Sequence, residues 1–332
     1  MVQVFLRLRE GRFLQGSGII LCLMTMIGVG GCRATEPAPV LAVPGLLWSV
    51  ADDRGIKPDE LVHRLSRHDV VMLGEIHDNP RHHDIEAELI RALATTRQLH
   101  VVALEMLDRE QQATLERVWA EGDVDAVLAA TDFDARGWGA DRYRPVVEAM
   151  LEAEVDPLAA NLSRADAGQV VKDGWTVHFD ARQQDELALD DVWNEALASR
   201  LTGALRDSHC GMLPEAMIPG MLAAQRARDA VIADRVLTRH ADGVILVAGG
   251  QHVRGDYGVP AYLRARVPDL NIATVLLLEV DGQRTVSEYL AAWPESGAAP
   301  LYDFVWFTTR AEREDPCALF EAQQSRKAED GR

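Results

Sequence analysis

Short apolar runs alternate with helical stretches along most of this chain, and this alternation limits the folds open to it. From residue 46 onward, six runs have the character of β-strands: 70–73, 101–104, 155–160, 244–248, 272–280 and 304–307. Their hydrophobicity is nearly continuous, which is typical of strands covered on both faces by helices. The pattern predicts an α/β fold with a central, mostly parallel sheet flanked by helices.

One long segment interrupts the alternation. Residues 181–240 have helical character and contain no convincing strand, so we expect an inserted helical subdomain before the run at 244–248. The chain has 332 residues, of which 48% are hydrophobic. That is enough to bury one large core or two modest ones, and it excludes intrinsic disorder.

The first 32 residues have the pattern of a bacterial lipoprotein signal. Three arginines precede an apolar run at 18–30, which is too short to span a membrane comfortably. Small residues then precede Cys32, which resembles the lipobox at which a cysteine thiol is lipidated. We expect residues 1–31 to be removed as a signal peptide and Cys32 to carry the lipid. An uncleaved anchor helix is the alternative.

Export and membrane attachment follow from this assignment. Arg33, directly after the cysteine, resembles the residue type found in lipoproteins of the outer membrane, so we expect a lipid-anchored protein of the cell outer membrane. The sequence leaves open whether the protein lies on the periplasmic side of that membrane or on the cell surface. We expect the lipidated cysteine and a proline-rich spacer at 32–50, the α/β domain at 51–322 and a polar tail at 323–332.

The charge of the chain excludes one class of partner. Its 34 lysines and arginines stand against 52 aspartates and glutamates, giving a formal net charge of -18. We therefore expect no nucleic-acid partner, and we expect membrane attachment to rest on the lipid alone. The four cysteines lack the spacing of a zinc site. Export would permit a disulfide between Cys210 and Cys317, which the sequence leaves open.

Four glutamate or histidine side chains follow three of the predicted strands. Glu75 and His77 come after the first run, Glu105 after the second and His252 after the fourth. Ligands of open parallel sheets bind outside the carboxyl ends of the strands, so we expect these side chains to converge on one rim. His77 and His252 could hold a divalent metal while a glutamate activates water. We expect mutual hydrogen bonds that hold the histidines in place without an ion, and the metal site is the alternative.

A second set of candidates lies in the helical segment. His209 and three of the nine methionines, among them Met217 and Met221, fall within thirteen residues. Methionine often fills irregular gaps between helices, so core packing is one interpretation. A soft apolar pocket for haem is the other. Gln225 and Asp229 then occupy a helical stripe that should be apolar, so we expect both to meet a polar group.

Five motifs occur in order between about residues 60 and 320. They are VVMLGEIHDNPRHHDIEAELI, VVALEM, AQRARDAVIADRV, ILVAGGQHVRGDYGVPAYL, and FVWFT with RAEREDPC. Together they resemble the ChaN-like haem-binding lipoprotein family, whose superfamily also includes the Tiki proteases and erythromycin esterases. The resemblance implies an α/β fold and a role in haem or iron uptake at the bacterial outer membrane, with the uptake machinery of that membrane as a further partner.

The resemblance also implies a mode of haem binding from which this sequence departs. Family members form a dimer around two stacked haems, and iron is bound by a tyrosine from the helical region and a histidine of the other subunit. Residues 170–230 contain no tyrosine here. His209 or a neighbouring methionine would have to replace it, so the predicted haem-binding set is His209, Met217, Met221, Gln225 and Asp229.

Functions of different classes are therefore predicted. The first is an exported, lipid-anchored haem-binding protein that acts in haem or iron uptake. The second is a metal-dependent hydrolase of the esterase or peptidase type, because in the hydrolytic branches of the superfamily a glutamate and two histidines at these motif positions resemble a hydrolytic site. A lipid-tethered interaction protein with a vestigial site ranks third.

Overall fold

A computed structural model describes residues 39–96, 99–133, 137–293, 300–315, 317–318 and 321. The predicted signal peptide, the lipidation site at Cys32 and the predicted tail at 323–332 lie outside these residues. None of the helices within the described ranges is long and apolar enough to cross a membrane.

Eight strands and twelve α-helices make up the described part of the chain. The strands are β1 (Leu47–Ser49), β2 (Arg54–Ile56), β3 (Val70–Glu75), β4 (Val101–Asp108), β5 (Asp156–Asn161), β6 (Val244–Gly249), β7 (Ile272–Val280) and β8 (Phe304–Thr309). The helices are α1 (Pro58–Leu65), α2 (Pro80–Ala94), α3 (Gln112–Trp119), α4 (Val124–Ala130), α5 (Ala140–Glu152), α6 (Arg164–Asp173), α7 (Trp175–His178), α8 (Ala181–Glu186), α9 (Glu195–Ser208), α10 (Ile218–Leu237), α11 (Val259–Arg266) and α12 (Val286–Ala291).

All eight strands form one sheet in the order β2-β1-β8-β7-β3-β6-β4-β5. The six strands from β8 to β5 run parallel, whereas β1 pairs antiparallel with both β2 and β8 at one edge. The predicted α/β fold with a mostly parallel central sheet is confirmed. The six predicted strands are all present, while β1 and β2 have only three residues each and gave no readable pattern.

Both faces of the sheet are covered, which explains the continuous hydrophobicity of the strands. Val71 and Leu73 of β3 pack on one face with buried side chains of α1 to α5. Val70 and Met72 pack on the other face with buried side chains of α6, α10 and α11. Side chains of a strand alternate between faces, so a strand between two helical layers is apolar at every position.

The helical segment 181–240 contains α8, α9 and α10 and no strand, as predicted. It does not form a separate subdomain, because α10 packs against β5, α6 and α11 and belongs to the second helical layer. Leu201 and Leu205 of α9 pack in a separate small apolar cluster with Tyr257. A disulfide between Cys210 and Cys317 joins the turn after α9 to the C-terminal segment, with the two Cα atoms 5.6 Å apart.

Gly220, in the first turn of α10, lies close to the backbone of α6. A Cβ at this position would lie 2.2 Å from the carbonyl oxygen of Val171. We expect Gly220→Ala to force the helices apart and to lower the free energy of unfolding by about 1–3 kcal/mol in urea denaturation. Gly203→Ala in α9 is the matched control, since a Cβ there meets open space. It should raise stability by up to about 1 kcal/mol, and equal effects of the two changes would contradict this close approach.

Candidate functional site

The carboxyl ends of β3, β6 and β4 lie side by side because β6 sits between the other two strands. Glu75, the last residue of β3, pairs with Gly249 at the end of β6. Glu105 lies inside β4 rather than after it, and His77 and His252 lie in the turns that follow β3 and β6. The structure thus brings all four predicted rim residues to one edge of the sheet.

Acidic side chains and histidines alternate along this edge. His77 Nδ1 is 2.7 Å from Glu75 Oε1, and His77 Nε2 is 3.9 Å from Glu105 Oε2. His252 Nε2 is 3.1 Å from Glu105 Oε1, and His252 Nδ1 is 2.5 Å from Asp229 Oδ1. We call these five residues, Glu75, His77, Glu105, His252 and Asp229, the rim cluster. It is a continuous chain of acids and bases.

Burial and mutual charge determine the ionisation of the rim cluster. Burial alone would raise the pKa of Glu105, but the charges of His252 and His77 lower it to about 2. Burial disfavours the charged form of His252, yet Glu105 and Asp229 raise its pKa to about 10. In the same way, Glu105 and Glu75 outweigh burial and raise the pKa of His77 to about 9. Both imidazole rings therefore carry a proton on each nitrogen, and a positive charge, at neutral pH in the free protein.

Several residues that support the rim cluster were not predicted from the sequence. The Tyr143 hydroxyl donates to Glu75 Oε1 at 2.5 Å, and Trp138 packs edge-on against the His77 ring. Asn161 Nδ2 donates to the carbonyl oxygen of Glu105 at 2.8 Å. Tyr143 lies among the buried apolar side chains of α5, so the sequence pattern does not distinguish it from an ordinary core residue.

The helix after β3 contributes two buried histidines. α2 begins at Pro80, and the Asn79 side chain accepts a hydrogen bond from the backbone N–H of Arg81 as its N-cap. His82 accepts from the backbone N–H of Ile76, and burial lowers its pKa to about 4, so it stays neutral. His83 points instead towards Glu75.

A cleft with a volume of about 870 Å³ opens beside the rim cluster. Its polar lining includes His77, His252 and Gln225, and its apolar lining includes Leu201 and Ala204 of α9. The His77 side chain is 35% exposed, whereas that of His252 is 9% exposed. His77 is therefore the rim histidine that a ligand in the cleft can reach.

Two of the predicted haem-binding residues belong to the rim. Asp229 is fully buried against His252, and Gln225 Nε2 lies 3.2 Å from His252 Nδ1. The expectation that both meet a polar group is confirmed. Through these two side chains, α10 contributes to the surroundings of His252.

The other three predicted haem-binding residues do not line this cleft. His209 Nδ1 lies 2.8 Å from the carbonyl oxygen of Leu205 at the end of α9. Met217 is exposed, and Met221 packs against a small apolar cluster that includes Leu205. For Met221 the core-packing interpretation describes its surroundings.

The predicted metal pair is not assembled as a compact ligand set. His77 and His252 face different oxygens of Glu105, so the carboxylate lies between them. Within the described ranges, Glu75, His83 and Glu86 form a group of three side chains whose ligand atoms lie close enough to share an ion. The geometry therefore does not favour His77 and His252 as a shared metal site.

Comparisons with known proteins agree with the fold. The family model described as haem-binding uptake, Tiki superfamily, ChaN matches residues 61–263. A structure of Campylobacter jejuni ChaN with cofacial haem has a TM-score of 0.62 and 21% identity, covering 78% of this chain and 95% of that chain. The type III effector HopBA1 has a TM-score of 0.42 and 13% identity, covering 83% and 100%, which is too low to establish a shared fold. No curated protein matches the sequence.

Substitution of Glu105 tests how much the rim cluster contributes to the stability of the fold. Its carboxylate accepts the backbone N–H of Gly249 at 2.6 Å and faces His252. We expect Glu105→Gln to lower the free energy of unfolding by about 1–3 kcal/mol at pH 7, because a buried charged hydrogen bond is disturbed. The control is Glu110→Gln on an exposed turn, which should change stability little. Equal losses in urea denaturation would contradict a special role for Glu105.

Substitution of His252 tests how the free energy of unfolding depends on pH. Since its pKa is raised from 6.5 to about 10, its stabilising effect is complete below pH 6.5 and is lost as pH rises through 10. We expect the free energy of unfolding to fall between pH 7 and 10, and His252→Gln to flatten that dependence. His240→Gln, a change outside the rim cluster, should leave the slope as it is. An unchanged slope in His252→Gln would contradict the assignment.

Proposed function

Because the chain belongs to the ChaN family of haem-binding uptake proteins in the Tiki superfamily, we propose that it is an exported, lipid-anchored protein that binds haem in haem or iron uptake. The observation that carries this proposal is a cleft with an apolar helical wall on one side and an accessible, carboxylate-held histidine on the other. A flat apolar ligand with a coordinating centre needs both features.

The cleft lining fits haem in its chemistry. Its volume lies in the range of small-molecule sites, and Leu201 and Ala204 supply apolar contact. Arg200 and Arg254 also line it, and both are held by Asp256 at 3.3 and 2.9 Å. Two fixed cations beside an apolar wall suit the carboxylates of haem propionates.

His77 is the proposed iron ligand in place of the family's tyrosine. Its Nδ1 is fixed by Glu75, while its Nε2 has its nearest rim carboxylate oxygen 3.9 Å away. Both nitrogens of His252, by contrast, face carboxylates at hydrogen-bond distance. Carboxylates that hold the second nitrogen of a histidine commonly orient it towards a metal. Haem iron would accept the Nε2 lone pair, so binding requires His77 to release its proton.

Location and assembly are part of the same proposal. We place the chain at the outer membrane through a lipid on Cys32, where uptake machinery of that membrane would meet it. The Cys210–Cys317 disulfide supports an oxidising compartment outside the cytosol. The cofacial haems of Campylobacter jejuni ChaN support a homodimer around two stacked haems.

A haem titration of the full-length chain in detergent tests the ligand. We expect His77→Ala to shift the Soret band and to weaken binding about tenfold or more. The matched control combines His209→Ala, Met217→Ala and Met221→Ala, which should keep the spectrum. Because a proton leaves His77, affinity should rise from pH 6 to 9 by at most about tenfold per unit.

Two outcomes would contradict the proposal in different ways. Loss of the Soret band in the triple variant, with His77→Ala unaffected, would move the ligand to the helical segment as the sequence predicts. Absence of any haem complex, together with an esterase or peptidase activity that a chelator removes, would favour the metal-dependent hydrolase.

A further inference from the structure

Beneath the rim cluster, three fully buried side chains bring two carboxylates and an imidazole together. They are Glu75 at the end of β3 and His83 and Glu86 on α2, each with 0% side-chain exposure. His83 Nδ1 lies 3.0 Å from Glu75 Oε2 and 3.0 Å from Glu86 Oε2. One ligand atom from each residue lies within 4.8 Å of the others. We call these three residues the buried triad.

Two carboxylate oxygens of the buried triad have no hydrogen-bond partner. They are Glu75 Oε2 and Glu86 Oε1, and neither is exposed to solvent. His83 has a single hydrogen at Nδ1, which is donated to Glu86 Oε2, so Glu75 Oε2 receives none. Two buried carboxylates with unmatched oxygens need positive charge beside them, which either protons or a metal ion can supply.

The orientation of His83 presents a lone pair to these carboxylates when the ring is neutral. Its Nε2 lies 3.2 Å from the carbonyl oxygen of His77, which can accept only an N–H. With that hydrogen on Nε2, Nδ1 of the neutral ring carries a lone pair directed at the triad. Histidines that bind metals commonly donate their second ring N–H to a backbone carbonyl in this way.

We propose that Glu75, His83 and Glu86 form a binding site for a divalent transition-metal ion within the protein core. One imidazole and two carboxylates make a donor set that suits ions such as Zn²⁺, Mn²⁺ or Fe²⁺. The site lies behind the cleft, since Glu75 lines the cleft whereas His83 and Glu86 do not. The ion would tie the start of α2 to the end of β3.

Protons occupy the buried triad when no ion is bound. Burial and the neighbouring Glu75 raise the pKa of Glu86 to about 8. Although burial disfavours its charge, the neighbouring carboxylates of Glu75 and Glu86 raise the pKa of His83 to about 10. A divalent ion therefore displaces the carboxyl proton of Glu86 and the Nδ1 proton of His83. Two protons leave as two positive charges enter, so the charge of the site is conserved.

Calorimetric titration of the chelator-treated, haem-free, full-length chain with Zn²⁺ tests the site. We expect one Zn²⁺ per chain, a rise in the thermal unfolding midpoint, and net release of protons when buffers of different ionisation enthalpy are compared. Glu86→Gln places a neutral amide where the metal-free protein has a neutral carboxyl, so it should fold. It should weaken Zn²⁺ binding by about tenfold or more.

Glu88→Gln is the matched control on the exposed face of the same helix, and it should leave Zn²⁺ affinity unchanged. Absence of Zn²⁺ binding in the unmodified chain would overturn the proposal, and so would equal affinity in Glu86→Gln. Zn²⁺ that is lost in His252→Gln but kept in Glu86→Gln would place the ion at the rim, which also overturns it. All samples are free of haem, so these results do not depend on the proposed haem function.

Discussion

A carboxylate that leaves water must find a cation or hydrogen-bond donors, and four of them are buried around the end of this sheet. Glu75, Glu105 and Asp229 are each almost fully enclosed, and Glu86 lies behind them. Histidines and a tyrosine hydroxyl supply the partners. Because each side chain comes from a different element, the pairs form only when β3, β4, α2 and α10 are packed in place. The site is therefore also a point at which distant parts of the chain are fixed to one another.

The sheet order makes this arrangement possible. β6 enters between β3 and β4 although it follows them by more than a hundred residues, and it brings Gly249 against the two glutamates. A Cβ at Gly249 would lie 3.0 Å from His77 Nε2 and 3.5 Å from Glu105 Oε2. Because glycine has no side chain, His77 and Glu105 can approach the end of β6. This explains why a glycine follows the fourth apolar run.

The sequence was most informative where one property determined position. Apolar runs located six strands because both faces of the sheet are covered, and a polar residue after such a run could be assigned to a strand end. The side chains that α-helices contribute were harder to predict. Tyr143 lies in an apolar stripe, and His83 and Glu86 share a buried helix face that the apolar periodicity of α2 assigns to the core. The density of methionine around Met217 and Met221 was compatible with core packing and with a pocket. Met221 packs between helices, whereas Met217 lies at the surface.

Glu75 links the two proposed sites through its two oxygens. Oε1 accepts from Tyr143 and faces His77 at the cleft, whereas Oε2 faces His83 in the buried triad. A divalent ion in the buried triad would replace two protons and leave the net charge beside His77 unchanged. Glu75 Oε1 would therefore continue to hold His77 whether protons or an ion occupy the core. The two proposed sites share one carboxylate, and Glu75 is the residue through which loss of either site would affect the other.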